Sequence, residues 1–268
     1  MKLVFVFILF LKFNWSQSQN ITCLYELTYK TKVSDSFTKS ENYYLDISGL
    51  QSVFRSEKDK DVDSLNQKTG SRSSNYLNFN QLYTRKDLNK NNVFKVISTP
   101  LYNDLYEILI DDKQNWKIFP ETRLIANISC QRAELNYGGR TWEACFASSI
   151  PSQEGPYIFH GLPGLIISIS DSNKDYYFNL IRLDKAENNG YSNFKKGKLI
   201  DWAMFEKLQK NFYSEPFAEL KAKSSKMIVT DVKGNQLDRS FNDMSKRMQK
   251  TLRENNNPIE LNHKIDYK

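Results

Sequence analysis

Few residues of this chain are of the types that do acid–base, nucleophilic or metal chemistry, and they are scattered. The chain has two histidines. His160 stands between Phe159 and Gly161, and His263 lies in a polar stretch near the C-terminus, where solvent exposure is expected. Imidazole titrates near neutral pH, so His160 is the candidate general acid/base or metal ligand. A histidine beside a glycine turn can equally hydrogen-bond backbone and lock the turn, and that structural role is the expectation here. Glu154 and Asp171 flank the same region; carboxylates beside turns cap or solvate them. No Gly-x-Ser-x-Gly elbow, zinc-protease helix or phosphate loop is present. The three cysteines, Cys23, Cys130 and Cys145, lack Cys-x-x-Cys or Cys/His metal spacing. The reading is therefore no metal, no cofactor and no catalytic set. An enzyme using His160 stays as a second alternative, because sites on β folds are assembled from distant residues.

His160 is positioned by a continuous run, Gly155-Pro156-Tyr157-Ile158-Phe159-His160-Gly161-Leu162-Pro163-Gly164-Leu165-Ile166-Ile167. Leu162 precedes a proline and is pushed toward extended backbone. Pro163-Gly164 fits the central pair of a type II turn, with glycine supplying positive φ. Leu165 to Ile169 is a short apolar, β-branched run that reads as a buried strand. The run is a backbone manoeuvre rather than a chemical site. Its expected role is a rigid turn and the strand after it.

Gly161 to Ile166 spells the hexapeptide of the GLPGLI family of exported bacterial proteins, and the chain resembles that family beyond it. Trp116-Lys117-Ile118, Cys130-Gln131-Arg132-Ala133, Gly139-Arg140-Thr141-Trp142 and Ile150-Pro151 recur in the family's order. Leu45-Asp46-Ile47 and Ser52-Val53-Phe54 near the start also fit, as does Asn257-Pro258-Ile259-Glu260-Leu261 near the end. The resemblance spans residues 22–262. It departs at Cys145, where the pattern has a bulky aromatic. It implies export and a common fold; the family has no well-established reaction to carry over.

Residues 1–18 read as a secretory signal: Lys2, an apolar core from Leu3 to Leu11, and small residues Ser16 and Ser18 before a cleavage point. Residues before Cys23 lack the small side chains of a lipoprotein signal. No later apolar run approaches transmembrane length. The expectation is an exported protein of the periplasm or outer membrane, with 19–268 as a single domain.

In an oxidising compartment the cysteines matter. With Asn136-Tyr137-Gly138-Gly139 as the turn of a hairpin, residues whose numbers sum to 275 face each other. Cys130 then faces Cys145, and Arg132 faces Glu143. Ala133, Leu135, Trp142, Ala144 and Phe146 share the apolar face. A Cys130–Cys145 disulfide is one outcome; two unpaired cysteines, or a Cys23–Cys130 bond, are the others.

The formal charge is +7, but Lys and Arg are interleaved with Asp and Glu throughout. This argues for a mixed-charge surface rather than nucleic-acid binding, with weak attraction to an anionic membrane as a lesser reading. Hydrophobic content of 40% with 13% aromatics suits a mainly β globular protein. Strands are expected at 23–32, 43–47, 92–97, 105–111, 116–120, 124–128, the hairpin, 165–169 and 175–184, with 227–229 as one more. Residues 55–75 are polar and charged and read as a mobile loop. After Lys198 the period becomes helical. Asp201 caps a helix carrying Trp202, Phe205, Leu208 and Phe212, which Pro216 ends. A second, basic helix over 239–255 presents Phe241, Met244, Met248 and Leu252. The fold class is mainly β (α+β): a curved antiparallel sheet with amphipathic helices packed on it near the C-terminus.

The first functional expectation is a non-catalytic envelope binding or accessory protein with an envelope protein as partner. The alternative is a periplasmic carrier of a lipid or other apolar ligand, lined by Trp142, Phe146, Tyr157, Phe159 and Tyr177. Aromatics of this kind also simply form cores.

Overall fold

A computed structural model describes residues 20–70, 76, 78–186, 196–222, 229–230, 236–237 and 240–268. The expected signal, residues 1–18, lies outside the described residues, as do 71–75, Met227, Ile228 and Arg239.

The chain forms β1 (Ile21–Tyr29), β2 (Lys39–Ser48), β3 (Gln51–Ser56), α1 (Glu57–Thr69), β4 (Tyr83–Asp87), β5 (Asn92–Ser98) and β6 (Leu105–Ile110). There follow β7 (Lys117–Ile125), β8 (Ile128–Tyr137), β9 (Arg140–Ala147), β10 (Leu165–Asp171), β11 (Tyr176–Lys185) and β12 (Lys198–Leu199). The C-terminal part adds α2 (Trp202–Ser214), α3 (Ala218–Ala222), β13 (Val229–Thr230), β14 (Gln236–Leu237) and α4 (Phe241–Glu254). Twelve strands make one sheet in the order β12-β6-β5-β4-β3-β2-β1-β11-β10-β9-β8-β7. Neighbours are antiparallel except β12, which lies parallel to β6. The first strand is thus the seam: the chain walks outward from β1 through β6, then returns from the far edge, β7, to pair β11 with β1.

The protein is mainly β with helices near the C-terminus, as the change of period after Lys198 implies. Asp201 caps α2 by accepting from the Met204 N–H. Phe205 and Phe212 are buried and meet Phe79 edge-on. α4 buries Leu252 and donates from Gln249 Nε2 to the Tyr213 carbonyl, 2.9 Å. From its apolar face Leu252 and Met248 pack on the protein's own core, and Phe241 meets Phe217. No described helix is long and apolar enough to cross a membrane.

Four local expectations need correction. Most of 55–75 is not a loop. Arg55 belongs to β3, and residues 57–69 form α1. Ser56 Oγ accepts from the Asp59 N–H at the start, and Gly70 closes the end at φ 69°. The capping pattern and terminal glycine were readable; the polar composition hid them. The buried Asp46 ties this end of the sheet to the helix: it takes Arg55 of β3 at 3.0 Å and the partly exposed Lys60 of α1 at 2.9 Å.

β4 is not among the expected strands, because Thr84, Arg85, Lys86 and Asp87 offer no apolar alternation, yet all are buried. The two short strands expected at 116–120 and 124–128 are one, β7, irregular between Ile118 and Thr122. Pro120 is tolerated there because β7 is an edge strand.

The hairpin turns one residue later than expected. Gly138 and Gly139, at φ 62° and 78°, form its two-residue loop, and Tyr137 pairs with Arg140. Facing residues therefore sum to 277. Both sums are odd, so the slip keeps every side chain on its assigned face and changes only the partners. Cys130 and Cys145 become diagonal neighbours, with Cα atoms 5.4 Å apart, and are joined by a disulfide. Cys23 is free and buried. Glu143 faces Glu134, and Arg132 bridges both: its Nε lies 2.8 Å from Glu143, and it also pairs with Glu134.

Candidate functional site

The glycine-proline run lies between β4 and the segment that follows β9. Thr84 Oγ1 on β4 donates to the Tyr157 carbonyl at 2.9 Å, while the Leu165 N–H donates to Ile150 O at 3.2 Å. Lys86, shut off from solvent, reaches Glu154 Oε2 at 2.7 Å and the Gly155 and Phe159 carbonyls at 2.7 and 3.1 Å. Burial pulls the Lys86 pKa down, against the Glu154 charge that favours the ammonium. Glu154 is thus an internal counter-ion rather than a solvated turn residue. Asp171 does cap, accepting from the Tyr176 N–H at 2.8 Å, but it is buried too and pairs with Arg140 at 2.9 Å.

A second buried group pins the C-terminal segment. Arg140 also contacts Asp175 at 3.0 Å, Asn257 Oδ1 at 2.7 Å and the Pro258 and Ile259 carbonyls. Lys95 lies 3.1 Å from Glu260, which also accepts from Tyr157 at 2.5 Å and Tyr137 at 3.1 Å. Burial raises the Glu260 pKa, but Lys95 and the two phenols outweigh it and hold it below the usual range. Tyr157 is held at φ 52°, a conformation its type avoids, by bonds at both its carbonyl and its hydroxyl. Arg140 and Glu260 belong to motifs readable in the sequence, and Glu154 flanks one. Their respective partners Asp175, Lys95 and Lys86 carry no such signal, because a sequence does not say which charges become buried.

The turn is built differently from the expectation. The Gly164 N–H donates to Leu162 O at 2.8 Å, Leu165 bonds elsewhere, and the Gly164 φ of 158° is far from the value near +80° that a type II turn needs, so Pro163-Gly164 is not one. Glycine is needed for space: a Cβ at Gly164 would stand 2.3 Å from the Ala147 carbonyl oxygen. Leu162, Leu165 and Ile166 are fully buried, Gly155 and Pro156 are buried, and Gly161 and Pro163 are exposed.

His160 serves the turn. Its N–H donates to Gln114 Oε1 at 2.9 Å, its carbonyl accepts from Trp116 Nε1 at 2.8 Å, and Nδ1 donates to Ile158 O at 2.9 Å. Burial, with the Lys86 charge acting the same way, holds the ring below its ordinary pKa. His263 is not out in solvent; its ring stacks on Trp202 with centroids 3.9 Å apart.

Of the five aromatics expected to line a cavity, Trp142, Phe146, Tyr157 and Phe159 are fully buried, with Trp142 and Phe159 centroids 4.7 Å apart. Tyr177 is 40% exposed on the other face of β11. They share no lining. A nearby cavity of about 30 Å³, lined by Phe79, Lys95, Phe205, Ile259 and Glu260, has room for a water and no acyl chain.

The larger recess lies elsewhere, a cleft of about 780 Å³ at the open ends of β11, β1 and β2. Its lining includes two register rows of the sheet: Tyr176, Tyr29 and Lys39, then Leu27 and Glu41. The start of α1 supplies Ser56, Glu57 and Asp59, and Tyr76, Asn78, Asn255 and Asn257 add further lining. Tyr29 stacks on Tyr176 (6.1 Å, 13°) and donates to Glu41 at 2.7 Å. Asp59 accepts from Ser56 Oγ at 2.6 Å and from the Tyr76 hydroxyl. Burial pushes its pKa up to about 6; the Ser56 bond opposes this and the Asp63 charge adds to it. A carboxylate raised in this way and set in a recess marks a functional-site candidate. Apart from Asn257, which belongs to the C-terminal motif, these residues carry no chemical signal in the sequence: Tyr29 is one residue of an expected strand, and Glu41 and Asp59 are ordinary members of polar stretches.

No protein-family model matches the chain, and no curated protein matches it in sequence. Two solved structures of PNGF-II, in P21 and C2 space groups, share the fold at a TM-score of 0.51 each, with 14% and 12% identity. The match covers 72% of this chain and 33% of that one, so the chain spans about a third of the length of PNGF-II, and the likeness is one of fold alone.

Proposed function

We propose that this protein is an exported envelope protein of the GLPGLI family that acts by binding a ligand rather than by catalysis, through the cleft between β1, β2 and α1. The observation that carries this reading is a contrast. The motif holding the candidate acid/base is packed shut around Lys86 and Glu154. The cleft is roomy and polar, and a stacked tyrosine pair forms part of its lining. The Cys130–Cys145 disulfide suits export, since such bonds persist in oxidising compartments. The motif's role as the wedge between β4 and the segment after β9, far apart in strand order, supports a strongly curved sheet and the family assignment.

The carrier of an apolar ligand loses its support, because four of its five lining residues are spent on the core. The enzyme reading loses the free imidazole it needs, since His160 is tied to Ile158.

The test incubates the purified protein with the small-molecule fraction of a bacterial envelope extract and follows it by native mass spectrometry. The expected result is a reproducible adduct on the parent that is lost from Tyr29→Ala. An adduct that survives Tyr29→Ala, or no adduct on the parent, overturns the proposal.

A further inference from the structure

We infer that the loop joining β1 to β2 docks on a membrane: Val33 and Phe37 enter the surface of a bilayer, and the lysines around them meet anionic phospholipid headgroups. This goes beyond the cleft reading and does not depend on it. The apolar pair comes first. The last pair of the β1–β2 ladder is Tyr29 with Lys39, so residues 30–38 extend beyond the sheet as a hairpin tip. Phe37 is 85% exposed, more than any other large apolar side chain among the described residues, and Val33 is 58% exposed at the same tip. Apolar residues scattered singly over a surface are ordinary. Two at one tip, in a stretch where turn chemistry favours Gly, Asn, Asp or Ser, serve no packing inside the protein.

The tip is built rather than slack. Asp35 Oδ2 accepts from Thr31 Oγ1 at 3.0 Å and from the Lys32 N–H at 3.1 Å. The Asp35 N–H donates back to Lys32 O at 3.1 Å, closing a β-turn with Val33 and Ser34 at its centre. The base is rooted on the β10–β11 turn, where Lys30 donates from its N–H to Asp175 O at 2.8 Å and from Nζ to Asp175 Oδ1 at 3.3 Å. The charge around the tip has one dominant sign. Lys32 and Lys39 belong to the loop and Lys174 to the adjoining turn, and among the described residues none of the three forms an ion pair. The nearby carboxylates are engaged: Asp35 by its own turn, Asp175 by Arg140 and Lys30, and Glu41 by the Tyr29 hydroxyl. A stable protein interface takes about 800 Å² of matched surface from each partner, which a hairpin tip with two apolar side chains does not offer. A bilayer needs no matching shape, accepts apolar tips at the acyl boundary, and adds attraction for each lysine.

The experiment is sedimentation of the purified full chain with phosphatidylcholine vesicles, made with and without phosphatidylglycerol. The parent should bind the anionic vesicles and bind the neutral ones far less. Phe37→Ser should weaken that binding roughly tenfold. Lys32→Gln and Lys39→Gln should weaken it about fivefold each, with unchanged melting temperatures as the folding control. Residues outside the loop are common to all variants, so the differences report the loop. Phe37→Trp should shift its emission to the blue on binding and be quenched by bromine atoms placed on the acyl chains. Equal binding by the parent and Phe37→Ser, or a parent that leaves the anionic vesicles unbound, overturns the proposal. Capture of an envelope protein by a photo-reactive cross-linker at position 37, with no vesicle binding, also overturns it and assigns the tip to a protein partner.

Discussion

Lys86 Nζ sits 2.7 Å from Glu154 Oε2 with both side chains closed to solvent, joining a central strand of one half of the sheet to the segment that leads into the motif. Two more carbonyls of that segment complete the ammonium's shell. Glu154→Gln should therefore leave a buried charge without its counter-ion and cost about 3–5 kcal/mol. Urea unfolding measures it. The double variant Lys86→Met/Glu154→Gln should lie closer to the parent than the sum of the singles. Additive losses would mean the two residues do not act as a pair.

Gly164 and Gly161 separate space from conformation. At Gly164 a Cβ meets the Ala147 carbonyl at 2.3 Å, so Gly164→Ala should cost roughly 3 kcal/mol through forced backbone shifts. At Gly161, φ is 89° and a Cβ meets nothing within 4 Å, so Gly161→Ala should cost about 1–2 kcal/mol from the dihedral alone. Thermal melts of the two variants check the order. Equal losses would remove the steric argument.

The Cys130–Cys145 bond closes a loop of 15 residues. Cys130→Ser/Cys145→Ser should lower unfolding stability by about 3 kcal/mol, mainly by freeing the unfolded chain. The same loss should follow reduction of the parent, and the double variant should be insensitive to reductant. Cys23, buried and with its thiol pushed far above the ordinary range by burial, should react with thiol reagents only after unfolding.

Asp59 gives the protein a pH signature. Its carboxyl titrates at about 6 when folded against an ordinary 3.8, so between those values the native state holds a proton the unfolded chain has lost. Its contribution to stability therefore rises as pH falls from about 7 to about 4. Asp59→Asn should remove that rise and be more stable than the parent by roughly 3 kcal/mol above pH 7, with the difference vanishing near pH 4. Denaturation curves across that range decide it. A variant less stable than the parent at pH 7 would show that the ionised carboxylate is structurally required.

Much of this protein was fixed by its sequence alone. The β9 pattern Trp142, Ala144, Phe146 places the apolar face correctly even with the turn misplaced, because a side-chain period of two survives a shift of two in the register sum. Asp201 and the spacing of Phe205 and Phe212 define α2 locally, through a cap and an amphipathic stripe. The motif is legible for the same reason: glycines and prolines act through local backbone geometry and close approach.

What only the tertiary structure decided involves charge and distance along the chain. β4 reads as polar because the partners that allow Arg85 and Lys86 to be buried, Glu107 and Glu154, lie 22 and 68 residues away. Glu260 meets Lys95 across 165 residues. The cleft follows the same rule. Tyr29, Asp59, Tyr176 and Asn257 come from four separate stretches, and a recess is a property of the space between elements, which local pattern does not encode.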